Sequence, residues 1–174
     1  MASVDAEAPS SATPHDQDLS RRQILVAVAV SAAILGVDQL TKWWALVALD
    51  DGHTIDLVGS LRFNLVFNEG SAFSLGSGAG RWFALAAAVI SVGLLWYAGR
   101  VARMREAVVV GVVAGGAIGN LGDRLFRRGD GFAGGAVVDF VDLQWWPVFN
   151  VADMAIVVGI VLVALVGVGS SWND

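Results

Sequence analysis

Four long apolar segments constrain the fold more than any other feature of this sequence. They run over residues 24–49, 82–98, 107–122 and 148–168. A helix that crosses a bilayer needs about 20 predominantly apolar residues. The two shorter segments reach that length when the residues at their ends are included. The pattern predicts a membrane protein with four transmembrane helices.

Composition supports the membrane assignment and narrows the chemistry. Hydrophobic residues make up 56% of the chain and charged residues 16%, whereas soluble domains contain about 25% charged residues. Cysteine is absent, which excludes disulfides, thiolate metal sites and a cysteine nucleophile. The two histidines, His15 and His53, do not form a zinc-protease helix motif. No basic stripe is present, so nucleic-acid binding is not expected.

The polar ends of the chain define its organisation. Residues 1–20 are small, polar and acidic, without Lys or Arg, which predicts a disordered tail. Residues 21–170 are expected to form one four-helix transmembrane domain, followed by a short C-terminus at 171–174.

Arg21 and Arg22 precede the first segment and favour a cytoplasmic N-terminus. A cleaved signal peptide is the alternative for this segment, but no convincing small-residue cleavage site follows it.

Two stretches between the apolar segments indicate β structure. Apolar and polar residues alternate over residues 61–68, "LRFNLVFN", with the period of a strand. A strand pair lying on the membrane with its apolar face down explains this pattern, and a short strand in an ordinary loop is the alternative. Residues 137–143, "VVDFVDL", form a second strand-like stretch. Asp139 and Asp142 should face opposite sides of it, so at most one of them faces a common site.

Polar side chains concentrate at the ends of the apolar segments. Asp38 and Lys42 are one helical turn apart, which favours an ion pair whose lysine extends to the membrane interface. Asn150 and Asp153 share a face at the start of the fourth segment, where Asn150 is also a candidate N-cap. On the third segment, four residues share one face by their spacing: Gly116, Asn120, Asp123 and Arg124.

These carboxylates suggest proteolysis by activated water. When two carboxylates lie close together they share one proton, so that one acts as base and the other polarises a carbonyl. A carboxylate among the apolar neighbours of residues 137–143 should have a raised pKa. A Ser–Lys arrangement that uses Lys42 stays open. The non-enzymatic alternative is a proton or cation relay through Asp38, Asp123 and Asp153.

Five motifs carry a resemblance to a known family. In chain order they are "DQLTKWW" (38–44), "NEGSAFS" (68–74), "GGAIGNLGDR" (115–124), "VVDF" (137–140) and "FNVAD" (149–153). In this combination and order they resemble lipoprotein signal peptidase, also called signal peptidase II, the bacterial aspartic peptidase of the inner membrane. The matched region spans residues 38–153, so the N-terminal tail and most of the last helix have no motif support.

The resemblance implies a fold, an activity and partners. Such enzymes remove the signal peptide from diacylglyceryl-modified prolipoproteins by cleaving before the lipidated cysteine. The implied fold has four transmembrane helices, both termini in the cytoplasm and an extracytoplasmic β-cradle on the membrane surface. The expected partners are prolipoprotein substrates, membrane lipids and globomycin-type inhibitors. No metal or cofactor is expected, and because the sequence gives no oligomer signal, a monomer is expected.

The resemblance also assigns residues to the site. The catalytic pair maps onto Asp139 and Asp153, which leaves Asp142 outside it, and Asp123 is expected to support the fold. Eight further positions map onto residues that bind substrate or support the pair: Asp38, Lys42, Asn68, Gly70, Gly116, Asn120, Arg124 and Asn150. The chain departs from the family pattern in two places. The link at residues 125–136 looks longer than usual, and Glu69 adds a charge beside Asn68.

Overall fold

The structure is a computed structural model that describes residues 14–70, 79–127 and 132–170. It contains four helices and three strands: α1 (Pro14–Ala48), β1 (Ile55–Val58), β2 (Leu61–Asn68), α2 (Ala79–Ala98), α3 (Met104–Phe126), β3 (Val137–Asp142) and α4 (Val151–Ser170). The predicted combination of a mostly helical fold with a small β element is confirmed. Parts of four predicted features lie outside the described residues: the tail, the end of "NEGSAFS", the 125–136 link and the C-terminus.

Each apolar segment of the sequence forms one helix. By length and composition, two helical stretches in the described part of the chain can cross a membrane, Gln17–Ala48 and Met104–Phe126. In α2 and α4 the apolar stretches are shorter, at Ala84–Ala98 and Val151–Leu165. Large apolar side chains such as Leu40 stand exposed on the outer helix faces, as expected of helices whose surroundings are apolar.

The first helix begins earlier than the composition indicated. The prediction of disorder through residue 20 is wrong for residues 14–20, which form the first turns of α1. Pro14 suits this position because the first turn of a helix needs no backbone N–H donor from it. The hydroxyl of Ser20 donates to the carbonyl oxygen of Gly99 at 2.7 Å, which fixes this end of α1 against the end of α2.

Helix α3 is the centre of the bundle and packs against the other three helices. Its glycines permit the close approach. A Cβ atom at Gly115 would lie 2.8 Å from the carbonyl oxygen of Ser31 on α1, and one at Gly116 would lie 2.5 Å from that of Ala152 on α4. Small residues on α3 therefore allow close packing against α1 and α4.

The strands form one antiparallel sheet in the order β1-β2-β3, which confirms both predicted strands. The sheet packs on the end of α1, where the Trp44 and Phe63 rings meet edge to face with centroids 4.9 Å apart. The pairing of β2 with β3 shifts register between Phe63 and Val66. This irregularity interrupts the uniform alternation predicted for residues 61–68, since one strand holds an extra residue there.

Candidate active site

Asp139 lies on β3 and is almost completely buried, with 2% of its surface exposed. Its Oδ1 accepts a hydrogen bond from Nδ2 of Asn150 at 2.6 Å, and its Oδ2 accepts one from Nδ2 of Asn68 at 3.0 Å. Burial raises the pKa of Asp139 from its ordinary value of 3.8 to about 6, against the opposing effect of the Asn68 hydrogen bond. The negative charge of Asp153 acts in the same direction as burial. Asp139 therefore keeps its proton to a higher pH than an ordinary aspartate does.

Asp153 lies in the first turn of α4, where it forms a reciprocal cap with Asn150. Oδ1 of Asn150 accepts from the backbone N–H of Asp153 at 2.9 Å, and Oδ2 of Asp153 accepts from the backbone N–H of Asn150 at 3.1 Å. The other oxygen of Asp153 accepts from Nδ2 of Asn120 at 2.8 Å. Asn150 is thus both an N-cap, as one interpretation of the sequence held, and a direct partner of Asp139.

The chain between β3 and α4 brings these two aspartates to the same place. Phe149 pairs with Val141 of β3 through backbone hydrogen bonds of 2.8 and 3.0 Å. The next residue, Asn150, is consequently held against the strand beside Asp139, and α4 begins immediately afterwards. The two carboxylates share this asparagine although they belong to different elements.

A buried charge cluster lies behind the pair. Nζ of Lys42 is 2.8 Å from Oδ2 of Asp38 and 2.9 Å from Oδ2 of Asp123. It also donates to Oδ1 of Asn120 at 2.9 Å. The predicted Asp38–Lys42 ion pair is confirmed, but the prediction that Lys42 extends to the membrane interface is wrong, because its side chain is completely buried.

The remaining predicted site residues contribute in different ways. Gly70 has a φ of 84°, and its backbone N–H donates to Oδ1 of Asn68 at 2.9 Å, which orients that side chain. Arg124 is buried, and its guanidinium donates to the carbonyl oxygen of Gly135 at 3.4 Å, just before β3. Gly116 lies at the α3–α4 contact and acts through packing rather than through a polar contact. Glu69 is exposed.

Asp142 belongs to a separate hydrogen-bond group in the sheet. It accepts from Nε of Arg62 at 2.8 Å and from Nδ2 of Asn64 at 3.1 Å. Burial alone raises its pKa, but these donors and the backbone N–H of Gln144 outweigh that effect and hold the pKa below its ordinary value. Asp142 is buried, as Asp139 is. Its partners nevertheless keep it apart from Asp139 and Asp153.

Two residues of this charge cluster were missed by sequence reasoning. Nε2 of Gln39 donates to Oδ2 of Asp38 at 3.2 Å, to Oδ1 of Asp123 at 3.2 Å and to the carbonyl oxygen of Gly119 at 3.3 Å. Arg127 pairs with Asp123 at 2.7 Å. Gln39 gave no signal because its side chain is uncharged. Only its place beside Asp38 could have drawn attention to it.

A cavity of about 510 Å³ opens beside Asp153. Its polar end is lined by Asp153, Asn120, Asn68 and Arg124, and its apolar remainder by residues of α2, α3 and α4 such as Ile90. An apolar groove with the carboxylate of Asp153 in its lining can hold an apolar chain that carries a polar bond at one end.

Comparison with known proteins places this arrangement in a family. A family profile described as signal peptidase (SPase) II matches residues 30–168. The chain belongs to the signal peptidase II family. It is 42% identical to a lipoprotein signal peptidase of Bifidobacterium longum (strain DJO10A) over 161 residues, which cover 91% of this chain and 87% of the relative. It is 38% identical to that of Mycobacterium avium (strain 104) over 163 residues, covering 93% and 88% of the two chains.

The signal peptidase II assignment agrees with the similarity of the fold to solved structures. A bacterial membrane enzyme solved by the in meso method at 2.3 Å resolution superposes with a TM-score of 0.70. The two sequences are 24% identical, and the match covers 85% of this chain and 90% of the other. A second structure of a bacterial membrane enzyme, at 1.9 Å resolution, gives a TM-score of 0.69 at 23% identity, with coverage of 80% and 90%. At these identities the likeness concerns the fold.

Proposed function

We propose that this chain is a membrane aspartic endopeptidase that removes the signal peptide from diacylglyceryl-modified prolipoproteins, cleaving before the lipidated cysteine. Membership of the signal peptidase II family and the names of its relatives support the substrate class. The observation that carries the mechanism is the position of Asn150. Its side chain donates to Asp139 and accepts from the backbone of Asp153, so that it joins the two carboxylates.

The two carboxylates have different surroundings. Asp153 stands in the first turn of α4, where the helix dipole and the cap N–H groups stabilise an anion. Asp139 stands on a buried strand, and its pKa of about 6 favours retention of the shared proton. We therefore assign the base to Asp153 and the acid to Asp139. The pair titrates as a unit, so this assignment describes its dominant state.

The proposed reaction follows from this assignment. Asp153 takes a proton from water as the water oxygen forms a bond to the scissile carbonyl carbon. Asp139 gives its proton to the carbonyl oxygen, which produces a neutral tetrahedral intermediate. Asp139 then recovers that proton while the carbon–nitrogen bond breaks, and the leaving nitrogen receives the proton from Asp153. Asn68, Asn120 and Asn150 keep the two carboxylates oriented throughout.

We further propose that all four helices cross the bacterial inner membrane and that both termini are cytoplasmic. The apolar composition of α2 and α4 supports this topology, and each helix has 20 residues, which is about the length that a bilayer crossing needs. The sheet and the Asp139–Asp153 pair then lie at the extracytoplasmic face. The apolar groove beside Asp153 is open to the apolar segment of a signal peptide between α2 and α4. The enzyme is expected to act as a monomer and to bind globomycin-type inhibitors at the same site.

Cleavage of a diacylglyceryl prolipoprotein by the purified protein tests the proposal. The wild-type protein should release the signal peptide. Asp139→Asn and Asp153→Asn should each abolish this release, although both variant proteins still accumulate in the membrane. Asp142→Asn is the matched control, since it neutralises a buried carboxylate of the same sheet that lies outside the pair. Substantial cleavage by either variant of the pair would refute the mechanism. Ion flux through liposomes without cleavage would instead favour a relay.

A further inference from the structure

Lys42 has three hydrogen-bond donors, and each has a partner inside the protein. Two of them bind carboxylates, Oδ2 of Asp38 and Oδ2 of Asp123, and the third binds Oδ1 of Asn120. The side chains of Lys42 and Asp38 are completely buried, and that of Asp123 is 1% exposed. An ammonium group buried in this way is held in one place, since it cannot exchange these partners for water.

The first of these carboxylates reaches the backbone next to Asp153. While Oδ2 of Asp38 binds Lys42, its Oδ1 accepts the backbone N–H of Ala152 at 2.9 Å. Ala152 directly precedes Asp153 in α4. A residue of α1 therefore holds the first turn of α4 at the position of the proposed base.

The second carboxylate reaches the backbone next to Asp139. Oδ2 of Asp123, the same atom that binds Lys42, accepts the backbone N–H of Val138 at 3.1 Å. Val138 directly precedes Asp139 in β3. A residue of α3 therefore holds the strand at the position of the proposed acid.

Taken together, these contacts form a symmetrical connection, which we call the Lys42 bridge: Asp38, Lys42 and Asp123. We propose that the Lys42 bridge sets the separation of the two catalytic aspartates, so that Lys42 is a positioning residue of the reaction. This inference rests on the proposed function of Asp139 and Asp153. Each arm of the bridge ends on the residue before one of them.

The third contact of Lys42 acts on the same pair. Oδ1 of Asn120 faces the ammonium group, which leaves Nδ2 to donate to Asp153 at 2.8 Å. A rotation of this amide would bring its NH₂ group against Lys42, and both groups are donors. Lys42 and the side chain of Asn150, which donates to the same oxygen at 3.1 Å, together fix the orientation of the amide that contacts the proposed base.

Stability alone is a poor explanation for such a cluster. Buried ion pairs often contribute little net stability, because the cost of removing both charges from water is comparable to their attraction. Arg127 balances the second carboxylate of the cluster through its contact with Asp123. The cluster is thus electrically neutral, and its geometry, rather than its net charge, is what the site can use.

A charge-balanced double variant, Asp38→Asn with Lys42→Met, tests the inference. It leaves Asp123 paired with Arg127, so no buried charge loses its last partner, and an asparagine at position 38 can still accept the N–H of Ala152. Because a displacement of about 1 Å can cost about 100-fold in rate, we expect kcat to fall roughly 100-fold while KM stays within about threefold. The measurement is steady-state cleavage of a diacylglyceryl prolipoprotein by protein purified in detergent.

Arg127→Gln is the matched control, since it removes the other cation bound to Asp123 and leaves the Lys42 bridge intact. Its kcat should stay within about threefold of wild type. A double variant with wild-type kcat, beside an inactive Asp139→Asn, would overturn the inference and leave the proposed function standing. If the double variant fails to accumulate while Arg127→Gln accumulates normally, Lys42 has a role in folding, and this result would also overturn the inference. Cleavage by Asp139→Asn would overturn the proposed function itself.

Discussion

The burial of Asp139 predicts that this residue destabilises the protein at neutral pH. Its pKa is raised from 3.8 in its ordinary state to about 6 in the folded protein, chiefly by burial. Folding therefore favours the protonated form, and ionisation above the folded pKa opposes folding. Replacement by asparagine removes the titration and keeps the shape of the side chain.

The magnitude follows from the two pKa values. They differ by about 2 pH units, and each unit corresponds to about 1.4 kcal/mol, so the full effect is about 3 kcal/mol. The stability that protonated Asp139 contributes is complete below pH 3.8 and is lost as the pH rises through about 6. The unfolding free energy of Asp139→Asn, relative to wild type, should therefore rise by about 3 kcal/mol between roughly pH 3 and pH 7.

Chemical unfolding in detergent, followed by tryptophan fluorescence, measures this difference at a series of pH values. Asp142→Asn provides a control of opposite sign. The pKa of Asp142 is lowered, so its contribution to stability is present above its ordinary pKa and is lost as the pH falls. The relative stability of Asp142→Asn should accordingly decrease as the pH rises.

A difference between Asp139→Asn and wild type that does not change with pH would refute this reasoning. It would mean that Asp139 has the same pKa in the folded and unfolded protein, and the proposed proton-holding role would lose its basis. A decrease with rising pH would mean that hydrogen bonds to the carboxylate outweigh its burial.

Three further substitutions test the packing around the site. Gly119→Ala should lower the unfolding free energy by about 1–3 kcal/mol and should also reduce cleavage, because the new methyl group would lie 2.6 Å from Oδ2 of Asp38. Normal unfolding and cleavage would contradict the close contact. Gly122→Ala on the same helix meets no atom within 4 Å and should keep cleavage while stabilising α3 by up to about 1 kcal/mol. Ser31→Ala removes a buried hydrogen bond to the carbonyl oxygen of Gly111 and should cost about 1 kcal/mol without changing kcat.

Local pattern was sufficient for most of the fold. Apolar runs predicted the four helices, and alternation predicted β2, because both signals depend only on neighbouring residues. The same signals misplaced the start of α1, since Pro14–Ser20 is polar and joins the helix only as an extension of its apolar part. They also missed the register shift between Phe63 and Val66, which depends on how β3 pairs with β2.

By itself, the sequence determined the four helices, two of the three strands and, through its five motifs, the family to which the chain belongs. The sequence identified Asp139 and Asp153, but it did not show that Asn150 contacts both of them. The tertiary structure alone decided that Lys42 lies buried between two carboxylates instead of at the membrane interface. The physical reason is distance along the chain. The hydrogen bond from Ala152 to Asp38 joins positions 114 residues apart, and no local pattern specifies the direction of such a bond.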